Sequence, residues 1–179
     1  MKSVLISIRP EWCEKIASGE KTVEIRKTRP KLEPPFKVYM YQTKHREHNG
    51  PTYSDGKVIG EFVCDDITKI LNFITHFGVE GRSECELNTI ARSSCLDYMD
   101  MLEYLGTDKD GYAWHISDLK IYDHPKKLSE FAKPDKCPYN LNGECAYPRH
   151  CYRAGQTKRC GDYLERPPQS WCYVEEVTP

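Results

Sequence analysis

The segment SVLISIRPEWCEKIASGEKTVEIRK, residues 3–27, decides the architecture. Ser3–Ile8 alternates and is rich in Val and Ile, the signature of a strand that Arg9-Pro10 ends. Pro10 suits the first position of a helix, and Glu11 and Glu14 in the first turn favour the positive end of the helix dipole. Trp12 and Ile16, with Cys13 and Ala17, give that helix an inward face, and Gly19 stops it. A second strand follows over Thr22–Lys27. Alternation along it puts Glu24 and Arg26 on one face and Val23 and Ile25 on the other. The loop Ser18–Lys21 therefore lies between a helix end and a strand whose charged face makes Lys21, Glu24 and Arg26 the first candidates for meeting a ligand.

Outward from this segment, Arg29–Pro35 is a proline-rich connection and Phe36–Thr43 a third strand, with Val38, Met40 and Gln42 facing one way and Tyr39 and Tyr41 the other. Lys44–Tyr53, broken by Asn49-Gly50-Pro51, reads as a loop, and Lys57–Thr68 as one strand containing Glu61. Between Leu71 and Gly106 the apolar period lengthens to that of a helix, with Leu96, Tyr98, Met99, Leu102 and Leu105 as its stripe and Ser93 or Ser94 as its cap. Gly111–Tyr122 returns to strand chemistry, Lys126–Phe131 is a short docking segment, and Ser170–Glu175 is a last strand. Several strands, few helices and no repeated β-α-β rhythm predict an α+β fold: a small β-barrel with two or three flanking helices.

The chain has 179 residues, of which 30% are charged and 39% hydrophobic, enough for one ordinary core and a small insert. No apolar run approaches the roughly 20 residues of a membrane span, and the N-terminus lacks the layout of a secretory signal. These features place the protein in the cytoplasm, away from membranes. A net charge of −1 conceals an asymmetry: residues 1–48 carry 11 basic against 6 acidic side chains, and residues 49–132 carry 8 against 15. The basic N-terminal part permits a polyanionic partner.

Nine cysteines without a secretory signal argue against a disulfide framework. Cys13, Cys64, Cys85, Cys95 and Cys172 are scattered and read as small buried apolar residues. Cys137, Cys145, Cys151 and Cys160 fall within 24 residues in a segment with almost no aliphatic side chains. Four thiolates make a closed tetrahedral set for structural zinc, and metal binding can supply the folding energy that such a segment lacks. The spacing Cys137-x7-Cys145-x5-Cys151 matches the first three ligands of CCCH-type fingers. Gly155 stands at the usual histidine position, and Cys160 takes its place. Arg149, Arg153, Lys158 and Arg159 surround the last ligands, interleaved with tyrosines, a composition that single-stranded nucleic acid binding uses. They can equally neutralise a zinc site that four thiolates leave at −2. The organisation expected is a barrel over 1–132, a metal-ordered insert over 133–166, and a last strand and tail over 167–179.

The opening SIRPEWCEKIASGEKTVEIRK resembles the first strand, helix and signature loop of ASCH domains, members of the PUA-like superfamily, and VIGEF, AWHISDLKIYDHPKKLSEF and RPPQSWCYVEE are similar to later parts of phage-type and bacterial ASCH proteins. The resemblance implies a PUA-like barrel beside a charged cleft that takes RNA or a nucleobase-like ligand. It also implies a possible amidohydrolase removing the acyl group of N4-acetylcytidine, through a lysine and a threonine in this loop and a distant glutamate. Lys21 matches that lysine, but Glu24 stands where the threonine is expected, and Thr22, two residues earlier, displaces its hydroxyl by roughly 6–7 Å.

Amide cleavage needs a nucleophile, a proton shuttle and oxyanion stabilisation. Lys21 can serve as base or as oxyanion donor, and Glu24 and Glu61 can form an acid/base pair, or Glu24 can tie down Lys21 or Arg26. As a binding cleft, Arg9, Lys21, Glu24 and Arg26 offer planar and mobile donors, and Trp12, Tyr39, Tyr41 or Trp114 offer stacking faces. The leading expectation is a protein that binds RNA, single-stranded nucleic acid or a modified nucleoside through this cleft and a zinc-ordered basic insert. The alternatives are the amidohydrolase and a protein-interaction adaptor.

Overall fold

In a computed structural model, residues 2–46, 52–54, 56–70, 84–106, 110–134, 140–141, 144–145 and 163–177 are described. Strand β1 (Lys2–Ile8) leads to helix α1 (Pro10–Ala17), strand β2 (Val23–Arg26) and strand β3 (Phe36–Gln42). Short strands β4 (His45–Arg46) and β5 (Thr52–Ser54) pair with each other, within the stretch whose sequence reads as loop. Strands β6 (Lys57–Cys64) and β7 (Ile67–Ile70), helices α2 (Glu84–Ser93) and α3 (Tyr98–Leu105), and strands β8 (Gly111–His115) and β9 (Ser117–Lys126) follow. After a 3₁₀ turn at Leu128–Glu130 come the two-stranded ladder of β10 (Asn140–Leu141) and β11 (Glu144–Cys145) and the last strand, β12 (Trp171–Glu175).

The first sheet has the order β12-β1-β3-β6-β9, with β1 and β3 parallel and the other pairs antiparallel. Alternation along β1 sends Val4, Ile6 and Ile8 to one core, shared with Cys13 and Ile16 of α1, and Leu5 to a second core on the opposite face. Likewise Val38 and Met40 face the first core, while Tyr39 and Tyr41 are buried in the second, which removes those two tyrosines as stacking surfaces. The second sheet, β2-β8-β7, is antiparallel. Helices α2 and α3 cover one of its faces through Ile25, Leu87, Ala91, Met101, Leu105 and Ala113. The architecture is α+β with mixed sheets and three α-helices among the described residues, where the strands form two principal sheets without a closed barrel.

Two stretches that read as single strands each divide between the sheets. Lys57–Thr68 breaks at Asp65-Asp66, and Gly111–Tyr122 breaks at Ile116. The breaks lie side by side: His115 donates its backbone N–H to the Asp66 carbonyl at 2.9 Å, and Ser117 its hydroxyl to the Val63 carbonyl at 3.0 Å. β6-β7 and β9-β8 thus make one long two-stranded ribbon bent at a common corner, and a run of apolar alternation cannot reveal a bend that leaves the period intact.

The helical region also differs in its cap. Asp97, not Ser93 or Ser94, starts α3, its carboxylate accepting the Met99 N–H at 2.8 Å. This start turns Met101 and Leu105 inward and leaves Met99, read as part of the stripe, 67% exposed. Of the scattered cysteines, Cys13 and Cys64 are buried, and burial pushes each thiol up to about 12; Cys95 and Cys172 are half-buried. Phe131 and Ala132 meet Leu164 and Tyr163 through a backbone bond and a β-bridge, so the chain leaves for the insert and returns at one point. Among the described residues no helix is long and apolar enough to cross a membrane.

Candidate ligand site

The alternation of β2 explains where its charges go. Val23 and Ile25 pack towards α2 and α3, so Glu24 and Arg26 must face the opposite way, towards the first sheet. Glu24 is paired in register with Trp114 of β8, and directly opposed residues share a face. The charged face is therefore an interior one: Lys21, Glu24 and Arg26 are 3%, 7% and 7% exposed.

Burial of three ionised groups requires them to satisfy one another. One Glu24 oxygen lies 3.2 Å from Lys21 Nζ and the other 3.0 Å from Arg26 Nη2. Lys21 also donates to the Ser94 carbonyl at 2.7 Å, just past the C-terminus of α2, where the helix dipole favours a cation. Arg26 Nη2 donates to the Ser7 carbonyl at 2.6 Å and Nη1 to the Ser170 hydroxyl at 3.3 Å. The cluster thus fastens β2 to β1, to the approach of β12 and to the α2–α3 connection. Arg26 Nε is buried without a hydrogen-bond partner among the described residues.

Two aromatic rings flank the cluster. Trp12 of α1 is half-buried, with Lys21 Nζ 5.2 Å and Lys15 Nζ 5.7 Å from its centroid. Tyr104 of α3 is 42% exposed and carries Lys27 Nζ 5.2 Å from its centroid. Burial raises the Tyr104 hydroxyl above its ordinary value; the positive charges of Arg26 and Arg9 oppose this and the Glu24 carboxylate adds to it, which puts Tyr104 within the field of all three. Arg9, before α1, has a side chain 75% exposed and a 3.8 Å ion pair with Glu11. Sequence reasoning missed Tyr104, Ser94, Ser7 and Ser170. Tyr104 carried a usable signal as an aromatic on a helix that follows the loop; the backbone carbonyls of Ser94 and Ser7 carry none.

Other candidates lie elsewhere. Trp114 is fully buried, with ring centroids 6.1 Å from both Phe36 and Trp171, so it offers no stacking face. Glu61 belongs to a separate polar group: it accepts from the Tyr122 hydroxyl at 2.5 Å and lies 3.6 Å from Lys37 Nζ, which also pairs with Glu176 at 3.0 Å. Cys137, Cys151, Cys160, Arg149, Arg153, Lys158 and Arg159 lie outside the described residues, and Cys145 contributes only its backbone, in β11.

At the corner of the bent ribbon, His115 Nδ1 lies 2.6 Å from Asp65 Oδ1. That hydrogen bond holds the Asp65 carboxyl below its ordinary value, with desolvation opposing. A depressed carboxylate contributes stability that is present above the ordinary pKa and lost as pH falls through the depressed one, so this contribution fades below about pH 4. Both side chains are nearly half exposed, which keeps the contribution small. His115→Ala is expected to raise the Asp65 titration midpoint towards about 3.9 in an NMR pH series; an unmoved midpoint would remove His115 as the cause.

The family model for the ASCH domain matches residues 6–136. No curated protein matches. Among solved structures, the chain resembles an ASCH protein from Zymomonas mobilis at 20% identity and TM-score 0.55, covering 97% of this chain and 88% of that one. Two point mutants of that protein, one Tyr-to-Phe and one Ser-to-Ala, match at 20% identity with TM-scores of 0.55 and 0.54, covering 98% and 97% of this chain and 92% and 89% of theirs. At this identity the likeness speaks for the fold.

Proposed function

Since the chain belongs to the ASCH domain family, we propose that it binds RNA or a modified nucleotide beside the Lys21, Glu24 and Arg26 cluster. The observation that carries this reading is a buried cluster with two cations to one carboxylate, flanked by the accessible aromatics Trp12 and Tyr104 and the exposed Arg9. Cations attract the phosphate backbone, and the rings supply stacking for unpaired bases.

Binding is favoured over amide hydrolysis by the hydrogen bonds within the cluster. Both Glu24 oxygens are engaged, and Lys21 Nζ is committed to Glu24 and the Ser94 carbonyl, so neither is poised to move a proton. Glu61 bonds to a different set of partners. Incubation with N4-acetylcytidine should release no cytidine, and its release would make the amidohydrolase the better reading.

Binding of a labelled single-stranded RNA, measured by fluorescence anisotropy at low and high salt, tests the proposal. Affinity should fall with salt, and Trp12→Ala should weaken it by about 5–150-fold, the loss of one stacked base. Absence of binding at low salt, or unchanged affinity in both Trp12→Ala and Arg9→Ala, would overturn it. From spacing alone, zinc is proposed for Cys137, Cys145, Cys151 and Cys160, with Arg149, Arg153, Lys158 and Arg159 extending the basic surface. Elemental analysis should find about one zinc per chain, and a metal-free protein would rule this out.

A further inference from the structure

Lys21 is buried although the three residues before it, Ser18, Gly19 and Glu20, are exposed. The end of α1 explains how it comes to lie there. Gly19 adopts a φ of 80° and donates its N–H to the Ile16 carbonyl at 3.0 Å, and Lys21 donates its backbone N–H to the Lys15 carbonyl at 2.9 Å. The loop therefore curls back on the helix and brings the Lys21 side chain to Trp12.

An ammonium has three N–H donors to direct. Lys21 Nζ meets the Glu24 carboxylate at 3.2 Å and the Ser94 carbonyl at 2.7 Å, and on a further side it faces the Trp12 ring, with the centroid 5.2 Å away. These closures differ in kind. The Ser94 carbonyl and strand β2 are backbone, fixed by the packing of α2, α3 and the second sheet, whereas Trp12 closes its side with a side chain alone. The ring is half-buried, packed on the first core along one part and meeting water along another. A change of rotamer carries it outward while Cys13 and Ile16 keep α1 in place and both polar bonds of Lys21 Nζ stay made.

Resting on the reading of this cluster as the ligand site, we propose that Trp12 is a door over it, shut in the free chain and swung outward when a ligand enters. Shut, the ring keeps water and solutes from Lys21. Open, it uncovers the ammonium and presents both of its own faces for stacking. The apparent affinity for a ligand that needs the open form is reduced by the fraction of chains whose door is open. Access to the cluster is then set by one side chain and requires no parting of the two sheets.

Acetylation of the free chain by a small amine-reactive ester, mapped residue by residue by mass spectrometry, tests this. Lys21 should react about tenfold or more slowly than the exposed Lys27 and Lys57. Its rate should stay flat in urea up to the onset of unfolding, because turning one side chain exposes little surface. Trp12→Ala should speed Lys21 about tenfold relative to Lys57, within the worth of a desolvated cation–π contact, and Trp12→Phe, which keeps a ring, should speed it less. Lys21 reacting as fast as Lys57 in the wild type would overturn the door. So would a wild-type rate that climbs with urea from the outset, the mark of exposure through unfolding, and so would an unchanged rate in a folded Trp12→Ala. The urea series needs no variant, so it decides the matter even where Trp12→Ala does not fold. Every reading is taken without ligand: RNA that fails to bind leaves the door standing, and a missing door leaves the RNA reading standing.

Discussion

Replacing Glu24 with alanine is expected to destabilise the fold by about 3–5 kcal/mol, the usual consequence of removing one partner from a buried ion pair. The physical cause is not the lost attraction alone. Lys21 and Arg26 remain more than nine-tenths buried with no counter-charge among the described residues, and each must then be desolvated without compensation. In thermal unfolding the midpoint should fall by roughly 6–20 °C for a chain of this length. Glu24→Gln should lose less, since its amide oxygen can still accept a hydrogen bond from one cation. A loss below about 1 kcal/mol for the alanine variant, the range of exposed pairs, would mean that water reaches the cluster.

Trp114→Ala should cost a similar amount, about 3–5 kcal/mol, for a different reason. Trp114 is completely buried, with Phe36 edge-on at an interplanar angle of 81° and Trp171 tilted at 57°, and its removal leaves a cavity between the two sheets. Trp114→Phe is the informative companion. The indole N–H has no partner among the described residues, so the smaller ring loses packing but also removes a buried unsatisfied donor, and the two effects oppose each other. Chemical denaturation of both variants would measure this, and a phenylalanine variant as unstable as the alanine one would show that the N–H is satisfied in solution. Near-native stability of Trp114→Ala would mean that the ring does not fill the space between the sheets.

These two residues also show what the sequence could and could not reveal. The strand, helix, strand opening was legible because each element carries its own local signal: β-branched alternation, proline at a helix start, glycine at its end. The same alternation placed Glu24 and Arg26 on one face. It could not say whether that face met water or another sheet, because that depends on β1 and the approach to β12, the latter more than 140 residues away in sequence. Charged residues suggested an open cleft, and the structure instead encloses them. Trp114 was ambiguous for the same reason, since large aromatics serve equally in cores and at binding surfaces. The bent ribbon was invisible because both arms keep a strand's period through the corner.

The partnership of β1 with β12 bears on how the chain acquires its structure in time. β1 lies between β3 and β12, and Lys2 is paired in register with Glu175. Ser7 contacts Pro168 and Ser170, and Arg26 reaches the same serine. β1 therefore completes its ladder only with β12, the most distant strand in sequence among the described residues. Closing contacts of such long sequence separation is entropically expensive and slows folding. Until β12 has been made one edge of β1 stays open and Arg26 lacks its Ser170 partner, so a nascent chain completes the Lys21–Glu24–Arg26 cluster only after that distant segment is available.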